Sequence, residues 1–287
     1  MKTKNKHNNF FVRFFRKYLP FSKSGILDLL VYKGALYTWF FISALSLICA
    51  FFLWIAIYRN SPSTSINGFT LKEMLAYTCF INIAGFGVSA GGTHDKISDE
   101  IKDGTIAMQL IKPISYRLRF VFITLGNYLG TTIIFTLPLM CVVSIVLHLL
   151  NIFVITSIWQ FLFRIGLFLI AQLIGCMLYD SINYFFGLCT FYTQASFGMF
   201  QLKEVIIRFL SGTMIPLSFF PGWIKKIVAY SPFASIGQNP ILILLGKLDY
   251  PGIMINLVIA VGWIGCLELI NYIFYTKAIK HITIQGG

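Results

Sequence analysis

Long apolar runs separated by short polar or charged intervals recur six times along the 287-residue chain. They cover about 36–58, 71–90, 120–147, 159–186, 194–219 and 252–275, and each exceeds the roughly 18 residues that mark a membrane-crossing helix. At about 1.5 Å rise per residue, the first would reach about 35 Å, enough to cross a hydrocarbon core with modest tilt. Pro138 falls inside the third run and is expected to kink it. Residues 220–250 are interrupted by Pro and Gly too often to make a further crossing. The pattern predicts an all-α integral membrane protein of six transmembrane helices, with a domain boundary near 35/36.

The segment before that boundary, residues 1–35, has a different rhythm. In Phe10–Tyr18, Arg13, Arg16 and Lys17 gather on one helical arc, while Phe11, Phe14, Phe15 and Tyr18 gather opposite. A basic helix with an aromatic face lies flat in a headgroup region, so an amphipathic interface helix in contact with membrane lipid is expected here, ended by Pro20.

Composition supports lipid as the solvent: 57% of residues are apolar and only 11% charged, against about 25% charged in soluble domains. The formal net charge of +13 could point to nucleic acid, but the basic residues cluster beside the apolar runs and no nucleic-acid module is visible. They serve orientation instead. Eight Lys or Arg precede residue 35, five lie in 91–119 and two in the tail, against one in 59–70 and 148–158 together. Positive-inside therefore places both termini and the 91–119 loop in the cytoplasm, with Lys225, Lys226 and Lys247 as exceptions on the outer side. The six cysteines all sit in apolar stretches without a CxxC, and the four histidines are scattered, so neither disulfides nor a metal site is expected. The first long run begins behind a long basic lead, unlike a cleavable signal peptide.

Two groups of residues carry candidate chemistry. Residues 94–104 (HDKISDEIKDG) read as a short helix, with Asp95 at its start, Lys96 and Glu100 spaced to pair, and Gly104 as a left-handed stop. Ile97 and Ile101 share one face, an apolar knob suited to a protein partner. Ionisable residues at membrane depth are functional candidates by default, and they are Arg164, Asp180, Lys203, Glu204, Arg208 and Glu268. Glu204 and Arg208 are spaced to pair, and Glu268 is expected to meet Lys203 or Arg208. Tyr184 and the neighbouring aromatics of spans four and five are candidates for an amphiphile-binding wall. Asp180, Tyr184, Lys203, Glu204, Arg208 and Glu268 together form the candidate substrate path.

The run Glu100-x-x-Asp103-Gly104-Thr105-x-x-x-x-Leu110-x-x-Pro113-Ile114-Ser115 resembles the signature that follows the second span of type-2 ABC exporter permeases. A second run resembles that family's segment between spans five and six: Leu210-Ser211-Gly212-x-x-Ile215-Pro216-Leu217-x-x-Phe220-Pro221-Gly222-Trp223, then Ser231-Pro232-Phe233. The resemblance implies a coupling helix at 95–103, with Asp95, Lys96, Ile97, Asp99, Glu100, Ile101 and Gly104 toward an ATPase subunit. It also implies outer re-entrant helices within 220–250, carried by Gly212, Pro216, Pro221, Trp223 and Pro232. The expected setting is a bacterial cell membrane, with two ABC ATPase copies and a second permease, identical or sister, as partners. The chain has no G-x-x-x-x-G-K-[ST] phosphate loop, so ATP and Mg are expected in the partner ATPase, with no cofactor and no catalytic residue in this chain. An ATP-independent secondary transporter or channel is the alternative, and it would call for repeat-related broken spans that the sequence does not show. A membrane enzyme would need clustered His, Asp or Glu at a bilayer face.

Overall fold

The computed structural model describes residues 5–31, 33–88, 92–155, 157–193 and 196–281; the side chains of 5–11, 30, 31, 33–36, 39 and 281 are outside that description. Nearly all of the described chain is helical. Helix α1 (Asn5–Val31) runs through Pro20 rather than ending there. A proline near the middle loses one hydrogen bond, and α1 is held from outside instead. It lies along α6 (Tyr116–Thr131), where Ser22 Oγ donates to the Phe122 carbonyl at 2.7 Å. Gly126 and Gly130 on α6 face Ser22, Ile26 and Leu29, and Gly25 of α1 faces Ile123 and Asn127. A Cβ on Gly126 would sit 2.0 Å from the Ser22 carbonyl oxygen, so only glycine permits this crossing. Further along, Tyr18 is buried, stacked on Phe122 at 5.2 Å, and its hydroxyl accepts from the backbone N–H of Ser115, the residue that caps α6. The expected aromatic face of α1 is therefore shared: Tyr18 and Phe14 pack on α6, while Val12, Phe15 and Leu19 stay exposed. Arg13, Arg16 and Lys17 are exposed, and the side chain of Phe11 lies outside the described residues.

Among the described residues, five helices are long and apolar enough to cross a membrane. The first is α2 (Lys33–Arg59), whose stripe of Phe41, Leu45, Ile48 and Phe52 is exposed, as a lipid-facing surface requires. A hairpin follows, β1 (Ser65–Ile66) and β2 (Phe69–Thr70), turned by Asn67-Gly68 with both φ positive. Thr70 and Glu73 then cap the second crossing helix, α3 (Leu71–Val88), reciprocally: Glu73 Oε2 accepts from Thr70 N–H and Thr70 Oγ1 from Glu73 N–H. Helix α3 is the buried one, packed against α2, α8 (Ile158–Cys189) and α12 (Gln238–Leu244). Residues 89 and 90 of the expected second span lie outside the described residues.

After α4 (Thr93–Lys102) and α5 (Ile106–Leu110), the third crossing joins α6 to α7 (Leu137–Leu149) through a wide π turn at Thr132–Thr136. That turn directly precedes Pro138 and absorbs the clash a proline makes with the preceding turn. Helix α8 is the fourth, and α13 (Tyr250–Ala278) the last.

The expected fifth span, 194–219, takes another form. Its helix α9 (Ser196–Leu210) has 15 residues, about 22 Å at the helical rise, and stops before Gly212 at φ +80°. Residues 194 and 195 lie outside the described residues. A 3₁₀ turn at Leu217–Phe219 and three short helices, α10 (Gly222–Ala229), α11 (Pro232–Ile236) and α12, fill the stretch up to α13. The breaks fall where proline and glycine put them: Pro216 precedes the 3₁₀ turn, Pro221 opens α10 and Pro232 is the first residue of α11.

Candidate functional site

Helix α4 is where the loop chemistry and the membrane helices meet. It begins at Gly92, whose φ is +52°, and ends before Gly104 at φ +70°, the left-handed stop its sequence calls for. Asp95 does not cap it; its carboxylate sits 3.3 Å from His94 Nε2. The apolar knob faces inward. Ile97 is 0% exposed, seated on Gly187 of α8 among Tyr116, Phe120, Tyr184 and Leu188, with Ile101 packed against the same cluster. A Cβ on Gly187 would lie 2.9 Å from Ile97 Cδ1, so the glycine makes the seat. Ile97, expected toward an ATPase subunit, thus faces the chain's own α8, and Ile101 is half-buried beside it.

The charges of α4 are also spent on other helices. Lys96 and Glu100 do not pair. Lys96 Nζ lies 2.9 Å from Asp28 of α1, and Glu100 takes Arg119 at 2.7 Å and the Tyr116 hydroxyl at 2.8 Å, both from α6. On the α9 side, Lys102 donates to Ser196 Oγ at 2.8 Å, Ser98 shares that hydroxyl at 3.2 Å, and His94 stacks edge-on against Phe200. One ten-residue helix is therefore bonded to α1, α6, α8 and α9 at once. What remains exposed is an acidic rim of Asp95, Asp99 and Asp103 beside Lys102. Next to it stand Met108 and Ile111, the latter 83% exposed.

Beside α4 a second set of charges closes inside the bundle. Arg117, at the start of α6, donates to Asp180 Oδ2 of α8 at 2.6 Å and to both oxygens of Glu268 on α13. Asp180 is 1% exposed and receives further bonds from Thr124 and from Thr93, the first residue of α4. Ser181 donates to Glu268 at 2.6 Å, and the guanidinium lies 4.6 Å from the Tyr184 ring centre. The expected partners of Glu268, Lys203 or Arg208, are thus replaced by Arg117 from the 91–119 loop. The signal was present in the depths. Asp180 and Glu268 lie nine and ten residues before the ends of α8 and α13. That puts both at one level, about 14 Å in, which the long side chain of an arginine at the mouth of α6 can reach.

Lys203 and Glu204 form their own pair at 2.8 Å on α9, with Lys203 bonded to Asn183 and near His94, and Glu204 accepting from Tyr179 at 2.7 Å. Arg208 does not pair with Glu204. It lines a small open cleft between α3, α8, α9 and α11, walled by Ile81, Val88 and Ile207 with Tyr179, Glu204 and Thr213 as polar groups. The candidate path residues therefore divide. Glu204 and Arg208 line the cleft, Lys203 stands behind it, and Asp180, Tyr184 and Glu268 belong to the Arg117 cluster.

Gly212 of the re-entrant motif faces the same region; its carbonyl accepts the Tyr77 hydroxyl at 2.7 Å, and Gln238 of α12 folds back to bond the backbone at Ser211 and Leu217. Trp223 is exposed on α10. Among the described residues no group of three or more His, Cys, Asp or Glu is placed to hold a metal ion.

A search among curated proteins returned no match. The family model described as ABC-2 family transporter protein matches residues 44–286, a range that takes in the crossing helices, the α4 hub and the re-entrant segment. It is a family of membrane transport components that lack an ATPase domain of their own and work with an ABC ATPase. This multi-pass membrane chain belongs to the ABC-2 family of transporter proteins.

Proposed function

We propose that the chain is the permease subunit of an ATP-driven ABC exporter, supplying half of a translocation path and taking its energy from a separate ATPase. The observation that carries this reading is α4, a short helix bonded to four other helices and still exposing one charged rim. A push on that rim is passed to α1 through Lys96–Asp28, to α6 through Glu100–Arg119, to α8 through Ile97–Gly187 and to α9 through Lys102–Ser196. Motion is thus handed to the third, fourth and fifth crossings. The ATPase-facing residues in this reading are Asp95, Asp99 and Asp103 with the exposed Met108 and Ile111, and ATP with Mg stays in the two ATPase copies. Helix α9 completes its crossing with the segment up to α12, which puts both termini on the cytoplasmic side as the Lys and Arg distribution requires. The cleft bearing Glu204 and Arg208 is the half-path that a second permease, identical or sister, would close. Its apolar walls and two charges of opposite sign fit an amphiphilic substrate.

The test is co-purification of the tagged full chain from its own membranes in mild detergent. Recovery of an ABC ATPase, lost in Met108→Asp/Ile111→Asp while the permease keeps its thermal midpoint, is the expected result. A native chain that brings down no ATPase under conditions that preserve another ABC exporter would sink the reading.

A further inference from the structure

Lys225 and Lys226 break the charge rule that orients the chain, and α10 shows what they do there. From Val205 to Leu248 the sequence contains no Asp or Glu. The third lysine of this stretch is neutralised: Lys247 lies 2.8 Å from Glu73, donates to the Gly68 carbonyl and covers the Phe69 ring. Lys225 and Lys226 are exposed and form no ion pair among the described residues. The helix that carries them has three faces. At roughly 100° per residue, Ile224 and Val228 share one arc. Val228 is buried there against Leu217 and Ala234, with Ile224 packed on the same cluster. Trp223 and Ile227, 69% and 65% exposed, share a second arc about 40° wide, and Tyr230 follows, also exposed. Lys225, Lys226 and Ala229 occupy the third. One face toward protein, one large apolar face uncovered and one cationic face is the arrangement of a helix lying in a membrane interface, with its indole at the acyl boundary and its ammonium groups among headgroups.

We propose that α10 is an in-plane interfacial helix that binds anionic phospholipid headgroups through Lys225 and Lys226. Placing it in the outer leaflet rests on the orientation given under Proposed function. Two adjacent cations with no internal counter-charge are complementary to a phosphate monoanion. An anionic neighbour also offsets the topological cost of lysines on the outer side.

The probe is the fluorescence of Trp223 in the full chain reconstituted into vesicles, isolated as the difference between the native chain and Trp223→Phe. Brominated phosphatidylglycerol is expected to quench Trp223 more strongly than brominated phosphatidylcholine at equal mole fraction. The local enrichment should be up to about five-fold per lysine at low salt, falling as salt screens the charges. Lys225→Gln/Lys226→Gln should abolish the preference and leave the quenching itself. Equal quenching by both lipids in the native chain, or a preference that survives in the variant, overturns the headgroup assignment. No quenching by either lipid places α10 against protein and overturns the whole proposal. Sidedness is read separately, by treating intact cells with a membrane-impermeant amine reagent. Modified Lys225 and Lys226 with spared Lys17 and Lys23 support the outer leaflet. The reverse overturns the orientation, while the quenching data still decide headgroup binding.

Discussion

Helices α4 and α10 are two short amphipathic rods, and they put the same kinds of residue to opposite uses. On α4 the apolar face is buried against α8, and Lys96, Glu100 and Lys102 each reach a different helix. On α10 only Ile224 and Val228 face protein, and both lysines look outward. Charge on a short helix therefore does not by itself announce a free surface. What decides is whether facing elements supply counter-charges, and α1, α6 and α9 do so for α4 whereas no acidic residue lies near α10 in sequence.

The largest effect should come from the charges beneath α4. Replacing Arg117 by Ala leaves Asp180 and Glu268 as unpaired carboxylates inside the bundle, and breaking a buried pair in this way costs about 3–5 kcal/mol. Thermal unfolding of the full chain in detergent should show the loss. Arg117→Met with Asp180→Asn and Glu268→Gln should recover most of it, because no charge is then left uncompensated. A triple variant no better than the single one would show that the arginine acts through more than charge.

Next is the seat of α4. Ile97→Ala opens a cavity at a fully buried aliphatic position, where losses of about 2–5 kcal/mol are usual. Gly187→Ala should destabilise as well, since its Cβ would meet Ile97. The two together should be less than additive, as the smaller side chain at 97 makes room for the new methyl. Full additivity would separate the two residues and weaken the claim that α8 occupies this face.

The sequence made the crossing helices legible because lipid demands long apolar runs, and that signal survives without any knowledge of packing. Gly104, Pro221 and Pro232 were legible for a similar reason, since each constrains its own backbone. The seat of Ile97 on α8 was not legible, because an apolar residue on a charged loop helix looks the same whether its partner is another protein or the next helix of its own chain. The pairing of Glu268 with Arg117 was not legible, because it rests on equal depth on separate helices, which spacing along the chain does not report. The end of α9 at Leu210 was hidden by the apolar Met214–Phe220, which continues the hydropathy while Gly212 and Pro216 end the helix.

A smaller effect is expected at the edge of α4. Lys96 and Asp28 are each more than a third exposed, so their pair should contribute at most about 1 kcal/mol, and Lys96→Ala should barely move the thermal midpoint. If α4 passes motion to α1 through this contact, the same substitution should lower transport-coupled ATP hydrolysis in the assembled complex far more than it lowers stability. Equal small effects on both would remove Lys96 from the coupling route.

The smallest effect on stability should be at α10. Trp223→Ala and Ile227→Asn remove side chains that touch little protein, and exposed substitutions of this kind stay within about 0.5 kcal/mol. In detergent their unfolding should match the native chain. In a bilayer they should differ from it, because removing the indole and an aliphatic anchor takes away the apolar area that holds α10 at the interface. Greater exposure of Lys225 and Lys226 to a water-soluble amine reagent would report that release. A large loss of stability already in detergent would mean that α10 is packed as α4 is, and the contrast between the two helices would fall.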